Sequence, residues 1–422
     1  MSSNKRVVVT GIGLVSPVGI GTQETWSNLL AGKSGAARIT SFDPDANNID
    51  VKIACEIKDF DIANYYPDRR KSGSMLKEMD RVTLLAMVAS KFAVEDSGLN
   101  STNSNPDRVA TFIGTGVGGL KTTCADSQRL TEQGQRKMGL RSIIRLMPNA
   151  PAGQVAIEFG ARGRAKSDAT ACASGLDSLM DAYMYIKYGR ADAVIAGGTE
   201  ACIDTFSVAS FSNMTALSKR EGDPTKVSRP FSKDRDGFVI GEGAAIMVLE
   251  ELEHALKRGA KIYAEVVGSG ASCDANHIVA PHETGEGAAR AIKDALEDAN
   301  LKPGDIDYIN AHGTSTPLND ERETLAIKSV FGEHAKKLAL SSTKSMIGHS
   351  LGAAGAMGAA VLALSIHDQK VHPTINLDTP DPACDLDYVP NVARPMQIRA
   401  GLAEALGFGG HNTVIAMARY SQ

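Results

Sequence analysis

Cysteine is sparse in this chain and carries no pairing motif. Cys55, Cys124, Cys172, Cys202, Cys273 and Cys384 are scattered, with no CxxC spacing. That excludes a disulfide framework and a cysteine-rich zinc site, and it fits a reducing compartment. Although 43% of the 422 residues are hydrophobic, ample for a core, no run of about 18 apolar residues suggests a membrane span. An excess of positive charge is missing too. Lys and Arg number 45 against 49 Asp and Glu, a net charge of −4, which argues against nucleic-acid binding as the main task. No low-complexity linker divides the chain, so one intimate globule is expected, and its length suits two or three domain-sized units or one large duplicated fold.

What is present is an alternation of strands and helices. Residues 6–13 read as a short buried strand ending in a glycine turn. Lys5-Arg6 ahead of Val7-Val8-Val9 has a faint look of a leader, but Thr10, Gly11, Gly13, Ser16 and Pro17 break the apolar run. Strand then turn is the better reading, with the cytoplasm as the expected compartment. Residues 22–32 form a capped amphipathic helix stopped by glycine. Residues 37–78 read as polar and irregular, with Arg69, Arg70, Lys71 and Lys77 bunched together, and a strong helix follows over 81–96. Strands are expected at 109–113, 191–198 and 244–250, the last leading into a helix over 251–258.

The pattern then restarts. Residues 262–270 echo the opening strand, 286–299 is a long helix, and 306–310 and 338–341 are strands. A helix over 352–367 follows a small-residue turn. Strands alternating with helices imply parallel sheets covered by helices on both faces. Two such passes predict a duplicated α/β/α unit with halves at 1–258 and 259–422, the seam near 255–262.

The stretch Ser167-Asp-Ala-Thr-Ala-Cys172-Ala-Ser-Gly175 opens a segment in which Leu176, Leu179, Met180, Tyr183 and Ile186 recur at helical spacing, up to a stop at Gly189. Cys172 is therefore expected at or just before the first turn of a largely buried helix. There the unpaired N–H groups and the positive dipole end favour a thiolate over a thiol. Ala171, Ala173 and Gly175 leave room for a reactant. A buried core cysteine is the ordinary alternative, and two histidine turns downstream weigh against it. His312 and then Thr314 and Thr316 lie just past a strand end, where α/β folds build sites. Lys344 and His349 share another strand-to-helix turn, Ser342-Thr-Lys344-Ser-Met-Ile-Gly-His349. No Cys/His spacing suits a metal, whereas imidazoles near a thiolate donate hydrogen bonds or move protons near pH 7.

Gly114-Thr-Gly-Val-Gly-Gly119 matches GxGxxG after a strand. The acidic residue expected about 20 positions on is Glu132, in a polar stretch with no preceding strand. A tight turn with packing glycines is the better reading, and a nicotinamide-dependent oxidoreductase the rival from another class.

At this point the chain resembles the β-ketoacyl-acyl carrier protein synthases of thiolase fold, close to synthase II and to type II polyketide ketosynthase subunits. The resemblance rests on Val7–Gly13, Ala169-Thr-Ala-Cys-Ala-Ser-Gly175, Ala196-Gly-Gly-Thr-Glu200 and residues 229–238. It continues through Gly241-Glu-Gly-Ala244, 310–317, 344–355 and Gly407-Phe-Gly-Gly-His-Asn412. It implies a thiolase-like α/β fold of duplicated α/β/α layers with mixed five-stranded sheets. It also implies decarboxylating condensation in fatty acid biosynthesis, with polyketide chain extension alongside a chain-length partner subunit as the alternative.

Carried over by position, the resemblance makes Cys172 the acylated nucleophile. His312 and His349 become the pair that binds the malonyl carbonyl, and Lys344 holds them in their electrostatic setting. Backbone N–H groups of Cys172 and Phe408 would form the oxyanion hole, while Phe408 and Asp274 would gate the site. Thr314 and Thr316 would hydrogen-bond the pantetheine arm, and Arg69, Arg70, Lys71, Arg136 and Lys137, with Lys77 and Arg141 nearby, would dock an acidic acyl carrier protein. The resemblance implies no metal and no cofactor beyond the carrier's phosphopantetheine, and a homodimer or a heterodimer with a homologous subunit. One departure stands out: Gly358 occupies the helix position where the family usually carries a glutamate, which in some members belongs to a monovalent-cation site.

Overall fold

The computed structural model describes residues 4–421. Ten strands carry the architecture: β1 Val7–Ser16, β2 Val109–Gly114, β3 Ala165–Lys166, β4 Ala193–Glu200 and β5 Gly243–Glu251, then β6 Ala264–Cys273, β7 Tyr308–Asn310, β8 Ala339–Ser341, β9 Ala400–Gly407 and β10 His411–Ala418. They lie in the order β8-β7-β9-β10-β6-β1-β5-β4-β2-β3. Cut between β6 and β1, each half runs third, second, fourth, fifth, first in its own sequence order. In each half the second strand pairs parallel to the third and fourth, as β2 does with β3 and β4 and β7 with β8 and β9. The remaining pairs are antiparallel. The mixed five-stranded sheets are thus present, but they are not separate. Val7, Val8 and Val9 pair antiparallel with Val266, Glu265 and Ala264, and join them edge to edge.

Six of the helices bear on the site and its surroundings: α1 Arg69–Glu78, α2 Arg81–Ser97, α3 Ser174–Lys187, α4 Glu286–Asp298, α5 Pro317–Phe331 and α6 Ala354–Asp368. α2 covers β1 and β5 from outside and α4 covers β6 and β10, whereas α3 and α6 pack on each other between the two halves. Leu176, Leu179 and Ile186 of α3 meet Val361 and Leu362 of α6 in that central core, with Val194 from one half and Ile415 from the other. The same device seats both outer helices. A Cβ at Gly11 or Gly13 would run into the carbonyls of Ala93 and Ala89 on α2, and at Gly268 or Gly270 into those of Ala295 and Ala291 on α4. Glycine in these strands permits close helix-on-strand contact.

Two expectations need correction. Residues 37–78 are not wholly irregular, because α1 ends them; Asp68 caps it by accepting from Arg70 N at 2.8 Å, and Ser72 and Met75 are its buried face. The apolar stretch Leu351–Asp368 is also long and apolar enough by composition to cross a membrane, yet 89% of that window is buried inside the protein. It is the central α6 with the turn that leads into it, and a helix apolar on every side belongs in a core.

Candidate active site

Cys172 sits in the tight turn Ala171–Ala173 that feeds α3, and the second half repeats the turn at Leu351–Ala353 ahead of α6. Each turn opens on a non-glycine residue in the left-handed region, Ala171 at φ 50° and Leu351 at φ 40°. Such backbone costs on the order of 1–3 kcal/mol and persists only where its surroundings enforce it. Glu200, at the end of β4, supplies much of that enforcement. Its carboxylate accepts from Thr115 Oγ1 at 2.8 Å, Gly116 N at 2.7 Å and Gly352 N at 3.0 Å, which ties the loop after β2 to the turn before α6. Burial pushes its carboxyl up to about 7.

The GxGxxG turn is consumed by the same construction. Gly114 lies against the Ser174 carbonyl with no room for a Cβ. Gly116 N donates to Glu200, Gly118 N to Thr115 Oγ1 at 3.1 Å and Gly119 N to Leu146 O at 3.0 Å. The N–H groups that would cradle a pyrophosphate are engaged within the chain, so these glycines serve packing.

The Cys172 side chain is 4% exposed, and its Sγ lies 3.0 Å from His349 Nε2. The His312 ring stands 5.3 Å from the His349 ring, nearly perpendicular to it, and Phe238 also meets the His349 ring edge-on. All three line one cavity of about 360 Å³ together with Thr314, Thr316 and Phe408. Both imidazoles are held well below the usual histidine range, first by burial and then by the Lys344 ammonium. They are therefore neutral, and the Nδ1 atom of each has no hydrogen-bond partner among the described residues. Burial pushes Lys344 down to about 8, against the pull of Glu323, Cys172 and Asp320.

The thiolate expectation is overturned. Burial pushes the Cys172 thiol up to about 11, opposed by Lys344 and by the backbone N–H groups of Phe408 and Cys172 that reach the sulfur. Gly407 brings these two N–H groups together, since a Cβ on it would lie 3.4 Å from Cys172 N. Beyond Phe408 the backbone turns through Gly409 and Gly410 at φ 88° and 78°, a conformation that glycine adopts without strain. Asp274 closes the facing loop: it accepts from Asn412 Nδ2 at 2.8 Å and from His282 N at 3.0 Å, and Gly409 N donates to Ile278 O at 2.7 Å.

The sequence reading missed the acids that hold the His312 turn. Glu323 of α5 accepts from His312 N at 2.6 Å and Gly313 N at 2.8 Å. Asp320, one turn earlier, accepts from Thr314 N at 3.0 Å and Phe231 N at 2.8 Å. Their signal was available: two acids three apart, in the first turns of a helix that starts with Pro317 right after the histidine turn. Gly358 also has a physical reason. A Cβ there would lie 2.7 Å from Asn310 Oδ1, so glycine leaves space for the Asn310 side chain, whose Nδ2 sits 3.2 Å from His372 Nε2.

The basic clusters are adjacent, since Arg141 pairs with Glu78 of α1 at 2.5 Å. Lys71 is tied to Glu158 at 2.6 Å. Arg69, Arg70, Lys77, Arg136 and Lys137 are exposed and form no ion pair among the described residues.

The duplicated thiolase-like fold, with a cysteine and two histidines on one buried cavity, defines the acyl-transferring condensing enzymes. Comparison with known proteins agrees. The profile of the beta-ketoacyl synthase N-terminal domain matches residues 4–255, and that of the C-terminal domain residues 263–378. The chain is 47% identical over 416 residues to 3-oxoacyl-[acyl-carrier-protein] synthase 2 of Synechocystis sp., covering 99% of this chain and 98% of the relative. It is 46% identical to the protein of the same name from Staphylococcus aureus, over 420 residues and all of both chains. Among solved structures it superposes at TM-score 0.92 and 36% identity on the ketosynthase complex of a type II polyketide acyl-carrier protein, over 99% of this chain and 100% of that one. It matches a beta-ketoacyl synthase from Burkholderia phymatum at TM-score 0.90 and 35% identity, with the same coverage. The chain belongs to the beta-ketoacyl synthase family, and its enzyme class is acyltransferase.

Proposed function

We propose that the protein catalyses the decarboxylating Claisen condensation of fatty acid elongation, in which an acyl chain on Cys172 and malonyl-acyl carrier protein give a β-ketoacyl-acyl carrier protein, carbon dioxide and a free thiol. The observation that carries this reading is the 3.0 Å approach of His349 Nε2 to Cys172 Sγ with the His312 ring beside it on one cavity. In acyl transfer the thiol proton passes to the neutral His349 as sulfur attacks the acyl thioester, and His349 returns it to the departing carrier thiolate. The N–H groups of Cys172 and Phe408 take the developing oxyanion, at about 3 kcal/mol each. In condensation both neutral imidazoles donate to the malonyl carbonyl as carbon dioxide leaves. The resulting enolate carbon attacks the Cys172 thioester and expels the sulfur as a thiolate, which takes a proton from solvent to give the free thiol.

Thr314 and Thr316, with their hydroxyls 2.9 Å apart on the cavity wall, hold the pantetheine arm. Phe408 swings on Gly409 and Gly410 and, with Asp274, gates the sulfur. No cofactor beyond the carrier's phosphopantetheine takes part. The unpaired Arg69, Arg70, Arg136 and Lys137 dock the acidic carrier, whereas Lys71 serves its structural ion pair. Leu140, 97% exposed, and the exposed Ile143, Ile144 and Ile157 support a dimer, as does β3 at the open edge of the sheet. Six unpaired cysteines support a cytoplasmic setting.

A second reading is polyketide chain extension within a heterodimer. The ishigamide ketosynthase/chain length factor, at TM-score 0.90 and 36% identity, favours it. The test is incubation with malonyl-carrier protein and a panel of acyl-carrier proteins, read by intact and peptide mass. Acylation of Cys172 and a product two carbons longer from the chain alone are expected. Acyl mass on another cysteine would refute the site, and extension only with an added homologous subunit would favour the second reading. Ultracentrifugation showing only a 44.5 kDa species at micromolar concentration would contradict the dimer.

A further inference from the structure

Glu404 on β9 is 4% exposed, and neither of its carboxyl oxygens has a hydrogen-bond partner among the described residues. Its neighbours Ala403 and Ala405 belong to the central core while Leu402 belongs to the outer cluster with Ile327 of α5. Strand alternation therefore turns Glu404 outward, beneath α5. There Leu402 and Leu406, two residues to either side on the same strand face, pack with Ile327 and Ala326 of α5, the helix face that also carries Glu323, the residue that holds the backbone of His312 and Gly313. Two ionised carboxylates side by side in a dry site repel too strongly to coexist, so one of them keeps a proton. Glu323 has two N–H donors and the charge of Lys344 nearby to support its anion, with Asp320 as the remaining acid. Glu404 has neither donor nor cation against it.

We propose that Glu404 is a positioning residue, a protonated carboxyl that donates its O–H to Glu323 and so fixes the carboxylate on which the His312 turn hangs. Burial and the Glu323 charge both drive its carboxyl well above the usual range, in agreement. The arrangement accounts for a buried acid that the condensation itself does not use. Its kinetic consequence rests on the proposed function; its protonation state does not.

Infrared difference spectra between the wild type and Glu404→Gln test the protonation state in the unliganded enzyme. A protonated-carboxyl C=O band that shifts in heavy water is expected; carboxylate bands in its place would overturn the proposal. Malonyl-carrier decarboxylation and Cys172 acylation are then measured for Glu404→Gln and Glu404→Leu. Glutamine keeps a neutral donor and should hold both rates near wild type. Leucine should lower decarboxylation roughly ten- to hundredfold by loosening the His312 turn while acylation stays near wild type. Glutamine as impaired as leucine would show that a negative charge is required, as for a bound cation, and would overturn the proposal, as would a fully active leucine variant. Should the leucine variant fail to fold, the infrared result and the glutamine rates decide. Wild type inert toward carrier-bound substrates would refute the proposed function, whereas the infrared bands would still decide the protonation state.

Discussion

The reactivity of Cys172 decides between two opposed physical effects. The dipole at a helix start stabilises an anion by about 0.3–1 kcal/mol, and at most about 2. Burial works the other way, lifting the thiol from 9.0 to about 11 with Lys344 and two N–H groups already counted in its favour. That net rise corresponds to about 3 kcal/mol against the thiolate, so burial prevails and the resting sulfur is a thiol. Alkylation by iodoacetamide, followed by mass at Cys172 across pH 6 to 10, should accelerate about tenfold per pH unit with no plateau. Reaction with an acyl thioester should be far less steep, because His349 Nε2, 3.0 Å away, takes the proton during attack. His349→Ala should then lower acyl transfer at pH 7 by roughly 10²–10⁴ and leave the steep alkylation profile in place. An alkylation midpoint below about 8 in the wild type would refute the reasoning, since the dipole would then outweigh burial.

Glu200 titrates near 7 in the fold against 4.5 when free. A raised carboxyl contributes stability that is fully present below the free value and lost as pH rises through the folded one, here about 3 kcal/mol between pH 4.5 and 7. Thermal midpoints of Glu200→Gln should therefore lie furthest below wild type at pH 5 and approach it at pH 8; parallel curves would contradict this. Gly358→Glu must push Asn310 away from His372, and overpacking on the order of 1–3 kcal/mol should lower the thermal midpoint; an unchanged midpoint would mean the pocket has room. Reversing charge at Arg70 and Lys137 together should raise KM for carrier-bound substrate, most at low salt, and spare a small acyl-pantetheine. Equal losses with both substrates would sink the docking assignment.

Much of this enzyme was legible in order along the chain. The alternation of strands and helices, the restart after residue 258 and the small-residue turns around Cys172, His312 and His349 are local patterns, written in neighbours a few positions apart. Resemblance then attached roles to the same residues. Glu323 and Glu404 escaped because an acid on a helix or strand is ordinarily solvated, and nothing nearby in sequence tells that α5 lies over β9. Gly358 stands out in sequence only as a departure from the family's glutamate, and its reason, Asn310 lying against it, is 48 positions away.

The sequence by itself determined the duplicated α/β plan and the small-residue turns that carry Cys172, His312 and His349, because periodicity and turn chemistry act over short range. Only the tertiary structure decided that the two sheets join through β1 and β6, that the glycine-rich loop packs the Cys172 turn with its N–H groups engaged within the chain, and that Cys172 rests as a thiol. Those outcomes depend on desolvation and on contacts between residues hundreds of positions apart, and burial sets both the dielectric around a charge and the partners left to satisfy it.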